Sequence, residues 1–236
     1  TAGGPGISGS SVGRLMWVSI TARDMYGNPR TQGGDRFALV LDGPNQTKLA
    51  ASSMVDYANG SYVGSYLATV AGNYSVSVQR ADEAGVFWDV QGSPYKIVVA
   101  TGPTNPFVSR LVGPHEAVAG EQTAFTLMSR DEFGNAPGGG ERSRFDVAAV
   151  PRSTGTPHPV AQVVDAGKGN YSVLNVFTDA GEYVMRTLMR GAAGGTLPDF
   201  PLRVAPGPLS PPHSELLWPC HAPGCVERSS RRSGYF

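Results

Sequence analysis

Gly60-Ser-Tyr-Val-Gly-Ser-Tyr-Leu-Ala-Thr-Val-Ala-Gly-Asn-Tyr74 returns without a gap as Gly169-Asn-Tyr-Ser-Val-Leu-Asn-Val-Phe-Thr-Asp-Ala-Gly-Glu-Tyr183. Working outward, Asp24-Met-Tyr-Gly-Asn-Pro29 returns as Asp131-Glu-Phe-Gly-Asn-Ala-Pro137. Gly33-Gly-Asp-Arg-Phe37 returns loosely as Gly139-Gly-Glu-Arg-Ser-Arg-Phe145. The offset is 107 residues at the Asp24 motif and 109 at Tyr74. An offset this steady marks two copies of one unit of about 100 residues, a common size for a single β-sandwich. Running on from the quoted stretch, Tyr74, Val76 and Val78 alternate with Asn73, Ser75 and Ser77, the pattern of a half-buried strand.

The flanking segments carry the same signal. Leu15–Ala22, Phe37–Leu41, Tyr62–Leu67 and Tyr95–Val99 are β-branched and aromatic runs separated by turn residues. The second copy offers Thr123–Met128, Phe145–Val150, Val160–Asp165, Tyr171–Phe177, Tyr183–Met189 and Phe200–Val204. No segment of helical length shows a 3.6-residue period. The fold class expected is all-β: two tandem immunoglobulin-like β-sandwiches, 1–100 and 109–205, joined by a Pro/Gly linker at 101–108. A Pro-rich, Cys-containing C-terminal tail at 206–236 is expected to be disordered.

Composition agrees. Glycine (31) and proline (19) are abundant in 236 residues, charged residues are only 16%, and the net charge is zero. That balance argues against a nucleic-acid partner bound through a basic surface, and against long charged helices. No apolar run is long enough for a membrane helix, so no direct membrane insertion is expected of this segment. The first residue is Thr, and a segment of a longer protein is expected.

Gly4-Pro-Gly-Ile7, Asp24–Pro29, Gly33-Gly-Asp35, Asn59-Gly-Ser-Tyr62, Gly72-Asn-Tyr74 and Gly92-Ser-Pro-Tyr95 follow one another in the first copy. In that order they resemble the filamin/ABP280-type immunoglobulin-like repeat. The second copy is divergent, with Gly113-Pro-His115 at its opening and Pro198-Asp-Phe200 near its end. The resemblance implies a non-catalytic interaction and spacer module of a larger protein, linked to the actin cytoskeleton. It implies partners that add a strand to an exposed sheet edge, alongside contacts with adjacent repeats. The expected groove in the first copy comprises Phe37, Ala38, Leu39, Val40 and Leu41 together with Leu49, Met54 and Val55. Its counterpart in the second copy is Phe145–Val150 with Val160–Val164. Phe37–Leu41 is expected to be an apolar edge on which a charge at Leu39 would block a partner and spare the fold.

Catalytic patterns are absent from the sequence, and neither an enzyme activity nor a cofactor is expected. Cys220-His-Ala-Pro-Gly-Cys225 reads as a small disulfide loop, an incidental pair or the start of a further module. It does not supply four zinc ligands at sound spacing, so no metal is expected. Asn45, Asn59, Asn73 and Asn170 head Asn-x-Ser/Thr sequons. Asn73 and Asn170 precede inward-reading tyrosines and are expected to face solvent, open to glycosylation in a secreted protein. A cell-adhesion or recognition ectodomain is therefore the alternative to a cytoplasmic, cytoskeletal role, which the resemblance favours.

Overall fold

The structure, a computed structural model, describes residues 1–51, 53–138, 145–160, 162–190 and 195–214. Cys220 and Cys225, the basic end of the tail and the second copy's Gly139–Arg144 segment lie outside these residues. The first half supplies β1 (Ala2–Gly3), β2 (Ser10–Ser11), β3 (Leu15–Thr21), β4 (Phe37–Asp42), β5 (Lys48–Ala50), β6 (Ser53–Asp56), β7 (Ser61–Leu67), β8 (Gly72–Ala81), β9 (Phe87–Asp89) and β10 (Tyr95–Ala100). The second supplies β11 (Arg110–Val112), β12 (Glu116–Val118), β13 (Gln122–Met128), β14 (Phe145–Pro151), β15 (His158–Pro159), β16 (Gln162–Gly167), β17 (Asn170–Val176), β18 (Gly181–Met189) and β19 (Phe200–Ala205).

Each half forms two sheets, and the strand orders match. One sheet runs β1-β3-β7-β6 in the first half and β11-β13-β17-β16 in the second. The facing sheet runs β2-β10-β8-β4-β5 and β12-β19-β18-β14-β15, with β9 added beside β8 in the first half alone. Pairing is antiparallel except where β2 joins β10 and β12 joins β19. The chain is all-β and immunoglobulin-like, as its repeat predicts.

Alternation places the cores. Val18, Leu41, Tyr66, Val76 and Val78 are fully buried in the first sandwich, as are Leu127, Tyr171 and Val173 in the second. Each such side chain contributes about 1.5–3 kcal/mol through removal from water. Buried tyrosines tie their hydroxyls to backbone: Tyr74 donates to Val70 O (2.8 Å), Tyr183 to Asp179 O (2.9 Å) and Tyr66 to Gly6 O (2.6 Å). Burial pushes the Tyr66 phenol up to about 12.

The repeated Asp turn is built alike in both halves. Asp24 Oδ1 accepts the Tyr26 and Asn28 N–H groups, and Asp131 Oδ1 accepts those of Phe133 and Asn135. The Asn side chain then donates back to the Asp carboxylate in each copy. In the second copy this turn also joins the two sandwiches. Asn135 Nδ2 donates to Thr69 O, and Asn135 Oδ1 accepts the Ala71 N–H, both at 2.9 Å. Asp131 Oδ2 accepts the linker Gly102 N–H at 2.9 Å. The Phe133 ring covers Gly13, where an added Cβ would lie 2.6 Å from its Cε2.

Candidate functional site

The two grooves differ in what they leave open. In the first sandwich β4 is not an edge. It lies between β8 and β5, with Val40, Leu41 and Asp42 paired to Ala50, Leu49 and Lys48. The Ala51 N–H extends that cover to Leu39 O (3.1 Å). Alternation buries Leu39 and Leu41 in the core and leaves Phe37, Ala38, Val40, Leu49 and Met54 half-buried and Val55 exposed. The expectation of an apolar edge open along Phe37–Leu41 is therefore corrected. A short strand covers it, and Leu39 is a core residue rather than a contact surface. Toward Phe37 that pairing stops, and Phe37 packs on the Tyr62 ring at a centroid distance of 4.7 Å.

The second sandwich leaves more room. Here β15 is two residues long, pairing Ala148 with Pro159 and Ala149 with His158. One further bond, Val160 N–H to Val147 O at 3.2 Å, ends the cover. Because backbone groups alternate along a strand, the Phe145 amide and carbonyl and the Val147 N–H face the same side as that Val147 carbonyl. There a cavity of about 560 Å³ opens between β14 and β16, lined by Phe145–Ala148, Pro157, Pro159, Val160, Gln162 and Val163. Its floor is apolar, because Phe145 and Val147 are buried and Phe145 stands against the Tyr171 ring. At its mouth Asp146 is held by Arg190 in a two-pronged pair, Nε to Oδ2 at 2.6 Å and NH2 to Oδ1 at 2.7 Å. That bond raises the Arg190 pKa further and neutralises the rim.

The expected segments Phe145–Val150 and Val160–Val164 thus flank one cavity, although Ala161 lies outside the described residues. Sequence reasoning missed the Asp146–Arg190 pair, which joins residues 44 positions apart and leaves no local pattern. It also missed Asp35, which meets Arg80 (3.0 Å), Arg30 (3.5 Å) and the Tyr62 hydroxyl at the end of the first sandwich. Of the sequon residues, Asn45, Asn59 and Asn73 are exposed. Asn170 is half-buried and its Oδ1 accepts from Arg130 NH2 at 3.1 Å, so it does not point freely to solvent. Among the described residues, no group of three or more His, Cys, Asp or Glu side chains is placed to hold a metal ion.

Two facing sheets in each half define an immunoglobulin-like β-sandwich protein. Residues 1–96 match the family described as the Filamin/ABP280 repeat. It is 33% identical over 101 residues to the E3 ubiquitin-protein ligase TRIM71 of Rattus norvegicus, and 31% to that of Gallus gallus. Each match covers 43% of this chain and 11% of the ligase, so the chain spans about a tenth of these relatives. Among solved structures, the Lin-41 filamin domain is similar with a TM-score of 0.35 at 17% identity over 44% of this chain and 98% of that one. The Escherichia coli adhesin FdeC is similar with a TM-score of 0.49 at 20% identity over 87% of this chain and 63% of that one. Filamin-type domains bind other proteins and are non-catalytic.

Proposed function

We propose that residues 1–100 and 109–205 act as two filamin-type repeats, the second divergent. On this reading 101–108 is a semi-rigid linker, and the pair serves as spacer and docking module in a larger scaffolding protein. The partner is an extended protein segment that pairs with β14 at Phe145–Val147 and lays alternate apolar side chains into the cavity beneath. The observation that carries this reading is that, among the described residues, no strand pairs with β14 at Phe145 on the side where an apolar cavity opens. Main-chain bonds would supply affinity there and the cavity side-chain selectivity. The match of residues 1–96 to the Filamin/ABP280 repeat supports, within this proposal, a mechanical or scaffolding role near the actin cytoskeleton. A cell-surface role is the second reading, favoured by the exposure of Asn45, Asn59 and Asn73; glycan mass on these residues in the native protein would support it.

The test is selection of displayed peptides on the full chain, followed by amide hydrogen exchange with a selected peptide. Slowed exchange at Phe145 and Val147 is expected. Ala148→Glu, which places a carboxylate in the half-buried cavity wall, should weaken binding at least tenfold without lowering the melting temperature of the second sandwich. Peptides that protect other amides, or that bind Ala148→Glu unchanged, would overturn the groove assignment.

A further inference from the structure

The groups through which the first sandwich meets the second all have counterparts at the far end of the second, where none of the described residues docks on them as Asp131–Asn135 does. In the first sandwich the docking surface has four parts. Gly13 lies under the Phe133 ring, the Thr69 carbonyl and Ala71 N–H face Asn135, and the Gly102 N–H faces Asp131. Their counterparts are Gly120, Thr178, Ala180 and Gly207. Gly13 and Gly120 both have positive φ (74° and 89°), and each donates its N–H to the same place, Ala68 O or Phe177 O. Val70 and Asp179 both receive a corner tyrosine hydroxyl. Gly102 and Gly207 each follow the last sheet residue, Ala100 or Ala205, by two positions and lie against Val12 or Ala119.

Occupancy separates the two surfaces. Val70 and Ala71 are half-buried, whereas their counterparts Asp179 and Ala180 are exposed; Thr69 and Thr178 are exposed alike. A Cβ added at Gly13 would strike Phe133, whereas one at Gly120 meets nothing within 4 Å. The complementary turn is also available. Asp24–Asn28 has the hydrogen bonds of Asp131–Asn135, yet Tyr26, at the position of Phe133, is 80% exposed against 40%. Besides Phe133 and Tyr26, both aromatic, two side chains differ between the junctions, and they differ together. Val70 becomes Asp179 and Glu132 becomes Met25, so a docked pair again carries one carboxylate at that rim.

We propose that Gly120, Thr178–Ala180 and Gly207 form a docking surface for another sandwich of the same kind, entered by an Asp-x-Tyr/Phe-Gly-Asn turn such as Asp24–Asn28. The linker Gly N–H, the Asn carboxamide and the turn aromatic then repeat the junction already made within this chain, and the array continues with fixed geometry. This surface lies apart from the β14 groove and does not depend on peptide binding there.

The test joins two chains covalently, so that the contact is made at high effective concentration. A second full chain follows Pro208 of the first through a copy of Thr104–Ser109. Residual dipolar couplings report whether neighbouring sandwiches share one alignment tensor. The expected result is a shared tensor across the new junction with the orientation of the natural one. That sharing should be lost when Asn28→Ala is placed in the second chain, with the fold of each sandwich kept. Tyr26→Ala, which removes only the exposed ring, should loosen the same junction. Independent tensors at the new junction, an unchanged junction in both variants, or a natural junction that is itself unfixed would each overturn the proposal.

Discussion

Leu39→Ala should destabilise the first sandwich by about 3–5 kcal/mol, the upper part of the usual range of about 2–5 kcal/mol for a core leucine. The structure supplies the reason for the upper part. Leu39 is 1% exposed and reaches across from β4 to the facing sheet, where Gly64 of β7 lies opposite it. A glycine has no side chain to move into the space vacated, and Met54 is already in contact with the Gly64 site. The neighbours therefore cannot collapse far, and the cavity persists. For a sandwich of this size each 1 kcal/mol lowers the midpoint by about 4–8 °C, so a loss of about 3 kcal/mol moves it by about 12–24 °C. Leu39→Asp adds an unpaired buried carboxylate and should unfold the first sandwich outright, since total stabilities are only about 5–15 kcal/mol. Differential scanning calorimetry of the full chain separates the outcomes. The first-sandwich transition should shift or vanish while that of the second remains. A native-like first transition in Leu39→Asp would refute the burial argument and restore Leu39 as a surface contact. Loss of partner binding in a Leu39 charge variant would otherwise report unfolding rather than a blocked groove.

Tyr66→Phe should cost about 1 kcal/mol, the net worth of its buried bond to Gly6 O, and ultraviolet titration of the wild type should show one phenol ionising near 12. Gly60→Ala should lower the first-sandwich melting temperature, because Gly60 has φ +83° and an added Cβ would collide with the Arg30 carbonyl; an unchanged melting curve would count against this turn. Asp131 is buried, which opposes its charge, but bonds from the Asn135 side chain and the Gly102, Asn135 and Phe133 amides outweigh that and lower its pKa. A carboxyl lowered in the folded state adds stability above its unfolded value, near 3.9, and loses it as pH falls through the lower folded value. The Gly102 and Asn135 amide shifts should therefore hold steady from neutral pH to about 4 and move only below it; a midpoint near 6 would contradict the assignment.

The sheet that holds the first groove was legible where a pattern spans several residues. Tyr74, Val76 and Val78 alternate over most of β8 and are all buried. The edge of the first groove was not legible, because β5 is only Lys48–Ala50 and three residues carry no period. Phe37–Leu41 reads as apolar whether it lies at an edge or inside a sheet, and the short strand alone decides which. Asn170 failed for a different reason. Its strand parity points outward, but Arg130, 40 positions away, folds over it, and no local pattern encodes a contact at that distance. The second groove was legible as two segments, whereas the cavity between them depends on β15 ending after two residues.

The Asp-x-x-Gly-Asn turn shows how one motif can build a fold and also join two of them. Asp131 satisfies the turn's own amides and holds the Asn135 side chain by one of its amide hydrogens. That leaves the carboxamide with one donor and one acceptor facing out in fixed relation, the same pair that a stretch of peptide backbone presents. Thr69 O and Ala71 N–H accept that offer with backbone atoms alone. Recognition of backbone is indifferent to the residue between them, so Val70 in one sandwich and Asp179 in the other are equally compatible with it. The same indifference lets the two copies diverge in sequence while keeping the junction chemistry. It also places the specificity of stacking in the aromatic over glycine, Phe133 on Gly13, where a side chain at the glycine would exclude the ring.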